Sequence, residues 1–190
     1  MMAMTMADDG VAPDGLLAAR ARDGDRAAFA ALVERHYDFI FRVAFRLTGR
    51  RDAAEDVAQD VCVRLGRAIS GYRGGAAFTT WLYAVVLNAA RDALRRSSRE
   101  AVRAHAFGTH VALFSADAAE PDDPAEALWA AVRELPDKQR EAVTLVYGEG
   151  LSHAEAAAAL RNAEPTVSWH VHEAKKRLKA LLRPAGDERR

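Results

Sequence analysis

From Asp14 to Arg96 apolar residues return every three or four positions. That spacing marks one face of a helix with 3.6 residues per turn, so this half of the chain is predicted to fold by packing helix on helix. Leu16 to Arg22 forms a first short helix, broken by Asp23-Gly24-Asp25. Ala27 to Leu47 carries a stripe through Phe29, Leu32, Val33, Phe39, Ile40, Val43, Ala44 and Leu47, and Thr48-Gly49 ends it. A third helix is predicted from about Asp52 to Ile69, a loop over 70–75, and a fourth helix from about Phe78 to Arg96.

Residues 97–124 lose this period and finish in Asp117-Ala-Ala-Glu-Pro-Asp-Asp-Pro124, which reads as an acidic interdomain linker. The helical pattern then returns over 125–135, 137–147, 152–160 and 164–182. Ser152 with Glu155 has the spacing of a capping box. Alanine is abundant, and with 12 Gly and 6 Pro the breakers are modest. The expected fold is therefore all-α: two small helical domains, 14–97 and 125–184, joined by a linker at 98–124. Tails at 1–13 and 185–190 flank them.

Net charge is zero, so attraction to a polyanion has to come from local patches. The charge is segregated. Arg91, Arg95, Arg96, Arg99 and Arg103 face only Asp92 and Glu100 over that stretch, and Lys175, Lys176, Arg177, Lys179 and Arg183 run without an acid. Asp117, Glu120, Asp122, Asp123 and Glu126 run without a base. Each run taken singly could be only a solvated face. Cys62 is the single cysteine, which excludes an intramolecular disulfide and fits a small core residue in a reducing compartment. No apolar run is long enough to span a bilayer, and the first ten residues lack the pattern of a secretory signal. A cytoplasmic protein without membrane insertion is expected.

Helical faces follow from numbering, at about 100° per residue. In the last helix Val167, Val171, Ala174, Leu178 and Leu181 form the core stripe. Trp169 falls about 160° from its centre, beside Pro165, His172 and Lys176, and is predicted to point outward. A groove against a neighbouring loop could hide it, but an indole left wet forgoes several kcal/mol of burial, which argues for a partner. Helix 152–160, a short turn and this helix have the layout of a helix-turn-helix, whose second helix enters the DNA major groove. Ser168, Trp169 and His172 would meet base edges or thymine methyls, and Lys175, Lys176 and Lys179 phosphates. His170 and His172 project about 160° apart and cannot share an ion, and no other histidine spacing suits a metal.

Helix 52–69 is predicted to bury Ala54, Val57, Ala58, Val61, Leu65 and Ala68, leaving Asp52, Asp56, Gln59, Asp60, Val63 and Arg67 opposite. Acids early in a helix suit its macrodipole, but Val63 among them fits a protein-docking surface. Helix 78–96 is predicted to bury Phe78, Leu82, Val85, Ala89 and Ala93, with Asn88, Arg91 and Arg95 on a polar arc that also holds Thr80 and Ala84. The preceding Tyr72-Arg-Gly-Gly-Ala-Ala-Phe78 combines aromatic and basic residues in a manner suited to single-stranded DNA. Phe78 and Trp81 are read as core packing rather than as stacking platforms.

Together, Asp52-Ala-Ala-Glu-Asp-Val-Ala-Gln-Asp-Val-Cys-Val-Arg-Leu65, the segment 78–96, Leu135-Pro-Asp-Lys-Gln-Arg-Glu-Ala-Val143 and the segment 151–178 resemble the extracytoplasmic function sigma factors of the sigma-70 family. The resemblance runs from about Leu16 to Leu182. It implies that Asp52, Glu55, Asp56, Gln59, Asp60 and Val63 dock on the clamp helices of the RNA polymerase β′ subunit, with further contacts to β. It implies that Tyr72, Arg73, Asn88, Arg91 and Arg95 meet the −10 element. Pro165, Thr166, Ser168, Trp169, His172, Glu173, Lys175, Lys176 and Lys179 would meet the −35 element, and the linker would thread toward the polymerase active-site region. It further implies an anti-sigma factor that holds the protein inactive, no cofactor, and no enzymatic activity of its own.

The sequence departs from the family pattern at the turn, Arg161-Asn162-Ala163, where Gly, an aliphatic residue and a small capping residue are usual. Asn162 can adopt a left-handed conformation there, but an apolar anchor in the turn and a hydroxyl cap are missing. Ala156 and Ala159 stand where bulkier aliphatics are common, and Glu173 stands where a base is common. Two other functions fit parts of the chain. A LuxR-like helix-turn-helix regulator would use residues 135–178 alone, and a sigma mimic would titrate an anti-sigma factor without touching DNA.

Overall fold

A computed structural model of the chain describes residues 12–106 and 123–182, and its regular elements are all helical. The first unit holds α1 (Asp14–Arg22), α2 (Arg26–Thr48), α3 (Arg51–Ala68) and α4 (Phe78–Ala106). The second holds α5 (Pro124–Arg133), α6 (Asp137–Val143), α7 (His153–Leu160) and α8 (Glu164–Leu181). A 3₁₀ turn at Ile69–Gly71 follows α3, and a wide π turn at Thr144–Gly148 follows α6.

Local chemistry sets the boundaries. The Asp25 carboxylate accepts from the amides of Ala27 and Ala28 at 2.9 and 3.0 Å and so caps α2. Gly49, at φ 71°, ends the same helix in the left-handed region that glycine enters without strain. Asp123 caps α5 through the Ala125 amide, with Pro124 in the first turn. The capping box forms as expected: Ser152 Oγ accepts from the Glu155 amide, and Glu155 accepts from the Ser152 amide at 2.9 Å.

The core of the first unit is built from Leu32, Ile40 and Val43 of α2, Val57, Val61 and Leu65 of α3, and Leu82, Val86 and Leu87 of α4, all fully buried. Each such side chain contributes roughly 1.5–3 kcal/mol when removed from water. In the second unit, Val132, Leu135, Val143 and Ala174 pack together between α5, α6 and α8, while Leu145, Val167 and Val171 belong to a cluster that continues into the first unit. Ala156, Ala157 and Ala159 are buried as well, so the small residues of α7 let it lie close against both α8 and α4.

The structure corrects several expectations. The fourth helix does not stop at Arg96 but runs on to Ala106, into the segment read as linker. Residues 97–106 hold neither Gly nor Pro and are rich in Ala and Arg, so helix propensity carries α4 onward where the apolar stripe fades. The 107–122 part of the predicted linker, the 1–11 part of the predicted tail and residues 185–190 lie outside the described residues. Ala68, Val85 and Ala93 are only half-buried, whereas Thr80, Tyr83, Leu87 and Ala90 are buried. Leu181 is 53% exposed, because α8 there has run past the helices that cover its core face. Among the described residues no helix is long and apolar enough to cross a membrane.

One feature of α4 explains the altered burial. Its second face is covered by the second unit, and the apolar residues of α2 and α4 form one continuous cluster with Ala142, Leu145, Ala156, Leu160 and Val167. The two helical units are thus packed together rather than apart.

Candidate nucleic-acid interface

α3 presents the acidic face that its periodicity predicts. Asp52, Asp56 and Gln59 are exposed, Glu55 and Asp60 are half-buried, and Val63 is 71% exposed among them. Neighbouring arginines organise part of this face. Arg50 bonds Asp52 and holds its carboxyl below the usual carboxylate range. Arg51 donates to Glu55 at 2.9 Å, and Arg64 bridges Asp60 of α3 to Asp92 of α4 at 2.9 and 2.8 Å. Arg64 therefore links the two helices at their surface. Val63 is thus an exposed apolar residue on a face that also carries Gln59, Asp60 and Arg67.

The residues assigned to the −10 element divide into two sets. Arg73, Asn88 and Arg95 are exposed. Tyr72 is not: it is buried, donates its hydroxyl to the Ala76 carbonyl at 2.9 Å, and packs with Phe78 and Trp81 at ring separations of 5.5 Å. It shapes the loop rather than offering a stacking surface. Phe78 and Trp81 lie in the packing, as read from the sequence. Arg91 is turned toward the second unit, where its guanidinium holds both oxygens of Glu141, with Nη2 donating to Oε2 at 2.6 Å. Thr80, placed on the same polar arc by numbering, is buried. A cleft of about 380 Å³ opens beside this pair, lined by Arg91, Arg95, Asp137, Lys138, Arg140 and Glu141.

α8 matches the face count. Val167, Val171 and Ala174 are buried, and Trp169 is 57% exposed with Pro165, His172 and Lys176 around it. The Trp169 ring meets His170 edge-on at 5.0 Å, which limits how freely it swings. Thr166, Lys175 and Lys179 are exposed as well, while Ser168 and Glu173 are half-buried. Lys176 donates to Glu173 at 2.9 Å, and that bond holds the glutamate below its usual range. The Lys175 ammonium sits 5.0 Å from the centre of the Tyr147 ring. An indole flanked by an imidazole and lysines on the outer face of such a helix suits a groove wall of bases edged by phosphates.

Residues outside the sequence reading also shape these faces. His153, at the start of α7, bonds Ser168 of α8 through Nδ1 at 2.7 Å and ties the two helices of the motif together. No spacing rule links positions 153 and 168, and only the crossing of the two helices brings them together. Glu149 receives Arg42, Arg46 and the Tyr83 hydroxyl from the first unit. Burial first, and then the Glu149 carboxylate beside it, pushes the Tyr83 phenol far above its ordinary range.

The turn between α7 and α8 takes a form the sequence did not suggest. Arg161, not Asn162, is the left-handed residue, with φ 54°. The α7 C-terminus closes through Arg161 and Asn162 amides donating to the Ala158 and Ala157 carbonyls. Arg161 directly follows the last helical residue, the position at which a left-handed residue commonly closes a helix. Ala163 starts α8 without a side-chain cap. Because the left-handed region costs an ordinary residue about 1 kcal/mol more than glycine, Arg161→Gly should stabilise the chain by about 1 kcal/mol, read as a midpoint shift in urea unfolding. An unchanged or lower midpoint would show that Arg161 makes a compensating contact.

Comparison with known proteins agrees with this geometry. The family model described as Sigma-70 region 2 matches residues 32–100, and the model described as Sigma-70, region 4 matches residues 125–178. The extracytoplasmic function RNA polymerase sigma factor SigM of Mycobacterium tuberculosis strain H37Rv is 37% identical over 161 residues, which cover 84% of this chain and 79% of that protein. Among solved structures, CnrH in complex with the cytosolic domain of CnrY superposes with a TM-score of 0.67 at 27% identity, covering 89% of this chain and 96% of that one. The sigma factor RpoE in complex with the anti-sigma factor NepR from Bartonella quintana superposes at 0.65 with 25% identity, covering 81% and 96%.

Proposed function

The chain belongs to the extracytoplasmic function group of sigma-70 RNA polymerase sigma factors, and from that premise we propose how its faces divide the work of promoter-specific initiation. Domain 2, residues 14–106, docks on core polymerase through Asp52, Glu55, Asp56, Gln59, Asp60 and Val63 of α3. The same domain meets the −10 element through Arg73, Asn88, Arg91 and Arg95. Domain 4, residues 124–182, reads the −35 element as duplex with α8. The observation that carries the reading is Trp169, held outward on the second helix of a helix-turn-helix whose other outward residues include His172, Lys175, Lys176 and Lys179.

Affinity and specificity have separate sources in this arrangement. Lysines paired with phosphates supply a salt-dependent term common to all sequences. Trp169, Ser168 and His172 supply the sequence-dependent term by contact with base edges and thymine methyls. Glu173 tempers the positive charge of the helix and can accept only from a base amine, the N4 of cytosine or the N6 of adenine, so it also narrows the site. The protein acts in the cytoplasm and performs no chemistry itself; the polymerase makes the RNA. Two of the similar structures are complexes with a protein partner, and in one of them a sigma factor is bound to an anti-sigma factor, which supports regulation of this chain by a partner of the same kind.

The match of residues 32–100 to region 2 disfavours the LuxR-like alternative, which accounts for residues 135–178 alone. A sigma mimic has no use for an outward indole and lysines on α8. In reconstituted holoenzyme, Arg91→Ala should lower permanganate reactivity of −10 thymines about tenfold, as the loss of a charge-assisted contact implies, and change closed-complex affinity much less. Equal losses in both measurements would place Arg91 outside the melting step.

A further inference from the structure

The hydroxyl of Ser168 is bonded across the helix-turn-helix rather than to its own helix. A serine inside a helix often bonds the carbonyl one turn earlier. Here its Oγ lies 2.7 Å from Nδ1 of His153, the first residue of α7. Among the described residues this is the one side-chain hydrogen bond that either partner makes.

Both ends of that bond are anchored. The capping box places His153: Ser152 Oγ accepts from the Glu155 amide at 3.2 Å, and the Glu155 carboxylate accepts from the Ser152 amide at 2.9 Å. Just before it, the Leu151 amide donates to the Leu145 carbonyl at 3.1 Å. On α8 the buried Val167 and Val171 hold the backbone to either side of Ser168. Ser168 itself is half-buried, while its neighbour Trp169 is exposed. The hydroxyl thus sits at the inner edge of the face that Trp169 and His172 share.

A free hydroxyl is an indiscriminate reader. It carries one proton and two lone pairs and rotates to suit its partner, so serine is compatible with any base edge. A bond to His153 removes that freedom in two ways. It sets the direction of the hydroxyl, and it occupies one of its bonding roles. Where Nδ1 accepts, the proton is spent and Ser168 can only accept from a base amine; where Nδ1 donates, a lone pair is spent instead. Either way fewer arrangements remain, and the four base pairs cease to be equivalent.

We propose that His153 is a positioning residue that sets base specificity at one position of the −35 element by clamping the Ser168 hydroxyl. This rests on the reading of α8 as the −35 helix. His153 acts through Ser168, so its influence is confined to the base pair that Ser168 meets. The specificity of the recognition helix is therefore written in part on the helix before it.

Reconstituted holoenzyme tests this on duplex promoter fragments in which each −35 base pair is changed in turn. Ser168→Ala should flatten the preference at one base pair by roughly three- to tenfold, the strength of one neutral hydrogen bond. His153→Phe keeps a ring in place but removes the bonding nitrogen, and it should flatten the same position by a similar factor. The double variant should lose no more than either single one, as two members of one coupled pair do. His153→Asn, whose amide offers a donor or an acceptor where Nδ1 stands, should keep the preference. A merely structural role for His153 would lower discrimination at every position alike, and asparagine would not rescue it. An unchanged preference in His153→Phe, an effect spread over all positions, losses that add in the double variant, or failure of His153→Asn to restore selectivity would each overturn the proposal. Trp169→Ala separates the proposal from its premise. If base preferences respond to Trp169→Ala but not to His153→Phe, the clamp alone is wrong; if they respond to neither, α8 is not the −35 helix.

Discussion

Trp169→Ala is expected to weaken binding of −35 duplex DNA by roughly 10- to 100-fold while leaving the affinity for core polymerase unchanged, since a good base contact discriminates by about 1–3 kcal/mol. Trp169 is 57% exposed and stands on the face of α8 opposite the buried Val167, Val171 and Ala174. The thermal midpoint should therefore stay where it is. The loss should also depend on sequence, greatest on a matched −35 element and small on random duplex. Lys176→Ala gives the contrast: a uniform loss across sequences and a shallower dependence on salt, by about one unit of the logarithmic slope. A drop in polymerase affinity on Trp169→Ala would mean that this face of α8 meets protein instead of DNA.

Val63→Arg is expected to have an effect of similar size on the other partner. Burying a valine contributes about 1.5–3 kcal/mol, so removing it from an interface and adding a cation lowers polymerase affinity by 10- to 100-fold or more. Val63 is 71% exposed and sits across α3 from the buried Val57, Val61 and Leu65, so folding should be unaffected. Surface-exchange measurements with purified core polymerase would read the change directly. Unimpaired polymerase binding would move the docking surface off this face of α3.

The two faces tested by these variants were legible in the sequence because each depends on one helix and its own domain. A stripe of Val167, Val171 and Ala174 fixes where Trp169 points, and a stripe of Ala54, Val57, Val61 and Leu65 fixes where Val63 points. The polar arc of α4 was not legible in the same way. Numbering places Arg91 on a wet face, but domain 4 reaches that residue, and periodicity within one helix carries no record of what packs on it from 50 residues away.

The helix boundaries show a related limit. α4 outruns its apolar stripe because residues 97–106 favour helix without needing burial, whereas Leu181 keeps the stripe where there is no longer anything to pack against. Asn is the better left-handed residue, yet the position that turns follows the end of α7, and Arg161 occupies it. Tyr72 read as an aromatic in a basic loop; Phe78 and Trp81 close behind it draw the ring inward instead. In each instance the outcome was set by something the apolar stripe does not record: helix propensity beyond the stripe, where a helix ends, or which rings close over a loop.

The most direct test of the central claim is transcription from genomic DNA by core polymerase with and without this chain, with the 5′ ends of the transcripts sequenced. The account predicts start sites gathered at a limited set of positions that share one −10 and one −35 sequence, present only when both components are supplied and lost with Trp169→Ala. Starts scattered as widely as those made by core polymerase alone would contradict it.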